Sequence, residues 1–259
     1  MTTWNLSTQR PLIGAVAAEW TKLWTVRSTR WLVCGSVLLM AAPAPSVGLT
    51  LANNNEADGL HTLYKPGDVA GGTAFYMVQL MVAALAMLMM TAEYGTGSIR
   101  STLQWVPDRG RLLLAKSVVI GAVTLVMGFV IAVVGVLPAD LPLGRYSDVQ
   151  PGRMACQVAA IAVYICLSSV FTVYLATLIR SAPATLTTAF LVMAVPAVMQ
   201  ASGIPPLVWT SQYTPAIGGR NFIMIDTGPY PAPVGSAVQL AWVVGGFFAA
   251  RLVLDRRDA

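Results

Sequence analysis

Six stretches of this chain contain no Asp, Glu, Lys or Arg, and they run over residues 31–55, 69–92, 117–139, 154–179, 181–219 and 227–250. An α-helix rises 1.5 Å per residue, so about 20 apolar residues cross the ~30 Å of hydrocarbon in a bilayer. Every one of these stretches is long enough. Strands of a membrane barrel would be about 10 residues long and alternate in polarity, so the helical reading fits. Only 10% of the 259 residues are charged and 56% are hydrophobic, against about 25% charged in an average soluble domain. So little charge cannot cover a water-facing globule, whereas a bilayer lets the outer surface be apolar. The fold class expected is all-α and integral to the membrane, with six transmembrane helices in a single domain over residues 1–259.

The predicted spans lie at about 31–51, 73–92, 117–137, 155–179, 184–204 and 234–254. Before them, residues 11–25 place Leu12, Ile13, Val16, Trp20, Leu23 and Trp24 at helical spacing, with Glu19 and Lys22 on the other side. That pattern, flanked by Arg27 and Arg30, predicts an amphipathic helix lying in the membrane interface. Pro43 and Pro45 should kink the first span. A polar loop with Asn53, Asn54, Asn55, Glu56, Asp58 and the single histidine, His61, is expected to follow. Between the fifth and sixth spans, Pro205, Pro206, Trp209, Tyr213, Pro215, Phe222, Tyr230, Pro231 and Pro233 break any spanning helix. Short re-entrant or interfacial helices suit that mixture. Residues 93–116 form the longest charged connection, between spans two and three.

Charge fixes an orientation. With six spans and an inner N-terminus, the inner segments hold Arg10, Lys22, Arg27, Arg30, Arg100, Arg109, Arg111, Lys116, Arg180, Arg251, Arg256 and Arg257. The outer segments hold Lys65, Arg145, Arg153 and Arg220, a ratio of 12 to 4. Basic residues favour the cytoplasmic side, so both termini are expected there. The net charge of +5 then reads as topology and lipid contact, not as a nucleic-acid footprint. A cleaved leader ending near Ala42 would exceed the usual length of about 15–30 residues, so the first stretch is read as a span.

Chemistry is largely excluded. The nearest approach to a G-x-x-x-x-G-K-[ST] phosphate loop runs from Gly110 to Ser117, has Ala115 where the second glycine belongs, and follows no strand. Nothing in it should bind ATP. One histidine rules out a His-based metal site, and no Gly-x-Ser-x-Gly elbow is present. Met77, Met81, Met87, Met89 and Met90 read as flexible packing in the second span rather than copper ligands. Cys34, Cys156 and Cys166 lack paired spacing and read as small hydrophobes in packed helices. Catalytic, cofactor-binding and metal residues are therefore expected to be absent.

Two segments carry a family resemblance. Glu19-Trp20-Thr21-Lys22-Leu23, followed by Arg27-Ser28 before the first span, resembles the N-terminal interfacial helix of bacterial type-2 ABC exporter permeases. Glu93-Tyr94-Gly95-Thr96-Gly97-Ser98-Ile99-Arg100-Ser101-Thr102-Leu103, with Pro107, Arg109, Leu112, Ala115 and Lys116, resembles the connection after the second span in that family. Gly97-Ser98 stands where Gly-Thr is more typical. The resemblance implies a permease in the bacterial cell membrane, pairing as a homo- or heterodimer with a second permease and binding two copies of a separate ATPase subunit. ATP and Mg would be held by that partner. Residues 93–116 would be the coupling loop, with Glu93, Tyr94, Arg100, Pro107, Arg109, Arg111 and Lys116 as candidate coupling residues and Glu93 bracing Arg100. The cargo expected of uncharged spans is lipophilic or amphipathic. The alternative is a non-transporting interaction, immunity or assembly protein of the same fold.

Overall fold

The computed structural model describes residues 11–99, 102, 104, 108–225 and 228–256. Among these it contains no strand; a single bridge joins Tyr64 to Ser147. Six helices are long and apolar enough to cross a membrane. An even number of spans returns the chain to the side on which it started.

The first helix, α1, runs over Pro11–Thr25 among the described residues. Its inner face differs from the one the sequence predicts. Ala15, Glu19 and Leu23 are buried against the bundle, four residues apart, while Ile13 and Trp20 point outward. Glu19, expected on the polar side, therefore faces protein.

The first span comprises α2 (Arg27–Ala41) and α3 (Pro43–Ala57), broken where Pro43 and Pro45 remove backbone donors. The second comprises α4 (Pro66–Thr73), a π-helical turn (Ala74–Val78) and α5 (Gln79–Thr96), which Gly97 ends with φ 71°. Next come α6 (Arg109–Leu143), α7 (Pro151–Ile179) and α8 (Ala182–Ala201). Two short helices, α9 (Pro205–Gln212) and α10 (Pro215–Ile223), precede the last span, α11 (Ala232–Arg256).

Most helices outrun the charge-free stretches that announce them. Asn53 to Glu56, expected in a loop, are the last turn of α3, and the third span starts eight residues early, at Arg109. Pro138 and Pro142 lie inside α6. His61 is exposed in the connection that follows α3. Cys34 and Cys156 are exposed rather than packed inside, and Cys166 is half-buried.

Spans two, three and four form the centre: over an apolar 18-residue stretch of each, 56%, 56% and 61% of the residues are buried, against 22% in each of the other three around them. Small residues permit the close approaches. A Cβ on Gly128 of α6 would stand 2.9 Å from Ala162 Cα of α7, and one on Gly48 of α3 would stand 2.8 Å from the Ala139 carbonyl of α6. The helix α10 is wedged among α4, α7, α8 and α11, with Ala216, Ile217 and Ile223 buried. In the core, Gln239 Nε2 of α11 donates to the Tyr164 carbonyl (3.3 Å) and to Ser168 Oγ (3.0 Å) of α7. Such interhelical hydrogen bonds suit a medium that offers no water.

Candidate functional site

One end of the bundle gathers α1, the end of α5, the start of α6 and the turn between α7 and α8. Four charged side chains meet there. Lys116 sits two turns into α6 and is 0% exposed. Its Nζ donates to Glu19 Oε2 (2.7 Å), Glu93 Oε1 (2.9 Å) and the Met89 carbonyl (3.2 Å). An ammonium has three protons, and all three are placed. Lys22 Nζ completes the group from the open side, donating to Glu19 Oε1 (2.9 Å), Glu93 Oε1 (2.8 Å) and Thr102 Oγ1 (3.3 Å).

The local reason for each position is helical geometry. Glu19 and Lys22 are three residues apart on α1 and share a face. Met89 and Glu93 are four apart on α5, so the carbonyl of one and the carboxylate of the other flank the same ammonium. Two cations and two anions cancel, which is what burial of this depth demands. Glu93 Oε2 is buried and takes no hydrogen bond from a described residue. Burial lowers the Lys22 pKa, but the hydrogen bonds and charges of Glu93 and Glu19 outweigh it and leave the group above its ordinary value.

The sequence places Glu93 at a membrane edge and Lys116 in a loop. The longer helices put both inside spanning segments, so these two spans do carry charge. Four of the residues singled out from sequence, Glu19, Lys22, Glu93 and Lys116, thus form one cluster. Glu93 is engaged by Lys22 and Lys116. Arg100, which it was expected to brace, lies outside the described residues, as does Pro107.

The other candidates sit around the cluster. Tyr94 is half-buried, its ring centroid 5.1 Å from the guanidinium carbon of Arg180. Arg180 ends α7 with φ 61°, a left-handed conformation that costs a non-glycine residue about 1–3 kcal/mol. Arg109 donates to the Leu254 carbonyl, tying the start of α6 to the end of α11. Arg111 is exposed and pairs with Asp108 at 3.0 Å. Trp20 is exposed and meets half-buried Trp24 edge to face at 5.9 Å; Arg27 is exposed in the first turn of α2.

Two contributors escape the sequence reading. Asp108 caps α6, its Oδ1 accepting from the backbone of Gly110 (3.0 Å) and Arg111 (3.2 Å). Asp108 stands four residues before the apolar run that opens at Leu112, and an Asp ahead of such a run is a helix-start pattern. Thr102 gives no comparable indication.

Chemically, the cluster has no nucleophile beside a base and no metal-ligand set. It joins three segments through charge, and on its open side, where Lys22 is exposed, it borders a cavity of about 520 Å³. No protein-family model matches this chain, and no curated protein matches it either.

Proposed function

We propose that the chain is the membrane-spanning permease subunit of an ATP-driven exporter, powered by a separate ATPase that holds ATP and Mg. The observation that carries this reading is the Glu19–Lys116–Glu93–Lys22 cluster. It ties α1 to both ends of the charged connection between spans two and three, the two segments that resemble type-2 ABC exporter permeases. The cluster end also holds the larger share of the basic residues: Lys22, Arg27, Arg30, Arg109, Arg111, Lys116, Arg180, Arg251 and Arg256 among those described. By the positive-inside rule that end is cytoplasmic, and both termini with it. The membrane is then the bacterial cell membrane, with α1 in its inner interface, α9 in its outer one and α10 re-entrant among the spans.

In this reading a partner pushes on the connection after α5. A flexible joint would dissipate the push. The cluster makes the ends of α5 and α6 and the whole of α1 move as one piece, so a partner's closure tilts spans two and three together. A second permease completes the path, and a lipophilic or amphipathic cargo suits helices whose charges are confined to their ends.

The test is ATP hydrolysis accompanying the full-length chain purified in mild detergent from its own membranes. Vanadate-sensitive hydrolysis should co-purify, and Arg111→Glu should reduce it while leaving insertion unchanged. Arg111 is exposed, and its one charge partner among described residues is Asp108, so its reversal disturbs the surface rather than the core. Purified chain without hydrolysis under several mild detergents would overturn the proposal in favour of a non-transporting interaction protein.

A further inference from the structure

The end of the bundle opposite the ion cluster contains a crevice of about 480 Å³ between α3 and the start of the second span. Its walls include Val47 and Leu51 of α3, Leu63, and Tyr76 and Met77 of the π turn. Lys65 lies at the head of the crevice, immediately before α4. The π turn shapes it: Phe75 and Val78 go into the core at 1% and 0% exposure, while consecutive Tyr76 and Met77 both face out. An insertion of this kind inside an α-helix often marks a functional position.

Lys65 differs from its basic neighbours. Arg145 is paired with Glu56 at 2.6 Å and Arg153 donates to the Ile225 carbonyl. Asp68, also on the crevice, is engaged by buried Gln157 at 2.5 Å. Lys65 Nζ makes no hydrogen bond or ion pair with a described residue.

Met77 forms the tail end of the crevice. That side chain also lines a second groove of about 580 Å³, whose other walls are Leu39 of α2, Leu80 and Met81 of α5, and Leu186 and Phe190 of α8. Lys65 therefore heads one crevice that reaches Met77, and a second, separate apolar groove borders Met77 as well. From Lys65 to Met77 the chain rises about 18 Å at 1.5 Å per residue, close to the ~15 Å half-thickness of the hydrocarbon layer. Head and tail are thus spaced as in one lipid leaflet.

We propose that this crevice is a binding site for an anionic phospholipid of the surrounding leaflet, with its phosphate on Lys65 and an acyl chain along Tyr76 and Met77. The crevice lining holds one cation, Lys65, and one carboxylate, Asp68, whose Oδ1 accepts from Gln157. The unengaged Lys65 ammonium is what favours an anionic headgroup, and the sideways exposure of Leu63, Tyr76 and Met77 selects the membrane as its source. The site stands apart from the ion cluster and does not depend on an ATPase partner.

Native mass spectrometry of the delipidated full-length protein tests it, using phosphatidylglycerol, phosphatidylcholine with the same acyl chains, and oleate at equal concentrations. Phosphatidylglycerol should be retained one to one in preference to phosphatidylcholine. Lys65→Gln should lower its retention about tenfold, and Lys65→Arg should preserve it. Arg145→Gln, at a neighbouring but paired cation, should change nothing. Val47→Trp should expel the lipid by filling the crevice, with melting in the same detergent confirming that each variant is folded. Equal retention of the two phospholipids, or indifference to Lys65→Gln, would overturn the site. Retention of oleate in place of phosphatidylglycerol would overturn the phospholipid as its ligand.

Discussion

Lys116 is fully enclosed, and its charge is supportable only because Glu19 and Glu93 stand within 2.9 Å of it. Removing one partner of a buried ionic group costs about 3–5 kcal/mol, whereas removing a matched pair can be nearly neutral. Lys116→Met should therefore destabilise the protein by about that amount, because two carboxylates are left sharing one exposed lysine. Glu19→Gln combined with Lys116→Met leaves Glu93 with Lys22 and should recover most of the loss. Thermal denaturation in one detergent measures both; equal stability of the single and double variants would mean that the cluster's charges are not what holds α1 in place. The sequence offered all four residues but not their meeting. Glu19 and Lys116 are 97 positions apart, and a pairing of that range leaves no local pattern. Amphipathic spacing placed Glu19 with Lys22 on a solvent side, because an isolated helix gives no reason to bury an acid.

The helices were legible in kind and approximate place because charge-free runs mark hydrocarbon directly. Their ends were less so. A run stops at its first charge, but helical hydrogen bonding continues through the interface, where Arg27, Asn53 to Glu56 and Arg109 remain helical. Long basic side chains can reach water from such positions. Packing between helices was not legible, since it depends on which small residue meets which neighbour. Gly128 shows this: α6 and α7 approach so closely that even one methyl group would meet the Ala162 backbone at 2.9 Å. Gly128→Ala should cost about 1–3 kcal/mol by overpacking, despite the higher helix propensity of alanine. Gly152→Ala serves as the control, because no atom lies within 4 Å of a Cβ there. A gain in melting temperature for both would contradict the close approach.

For the molecule as a whole, the arrangement is a central trio of spans with charged joints at each end. At one end, the Glu19–Lys116–Glu93–Lys22 cluster binds α1 to the bundle. At the other, the Arg145–Glu56 pair and the Tyr64–Ser147 bridge tie the ends of the first and third spans and their following segments together. Sequence composition supplied the membrane setting and six helices long enough to cross it, and the charge asymmetry supplied an expected direction. The functional account requires that the cluster end be cytoplasmic, since ATP is found on that side. Labelling single cysteines in intact cells with a membrane-impermeant maleimide measures this directly, after Cys34, Cys156 and Cys166 have been replaced by serine. A cysteine at Asp58 should be labelled from outside, and one at Asp255 only after the membrane is permeabilised. Labelling of Asp255→Cys in intact cells, with Asp58→Cys protected, would place the cluster outside and contradict the account.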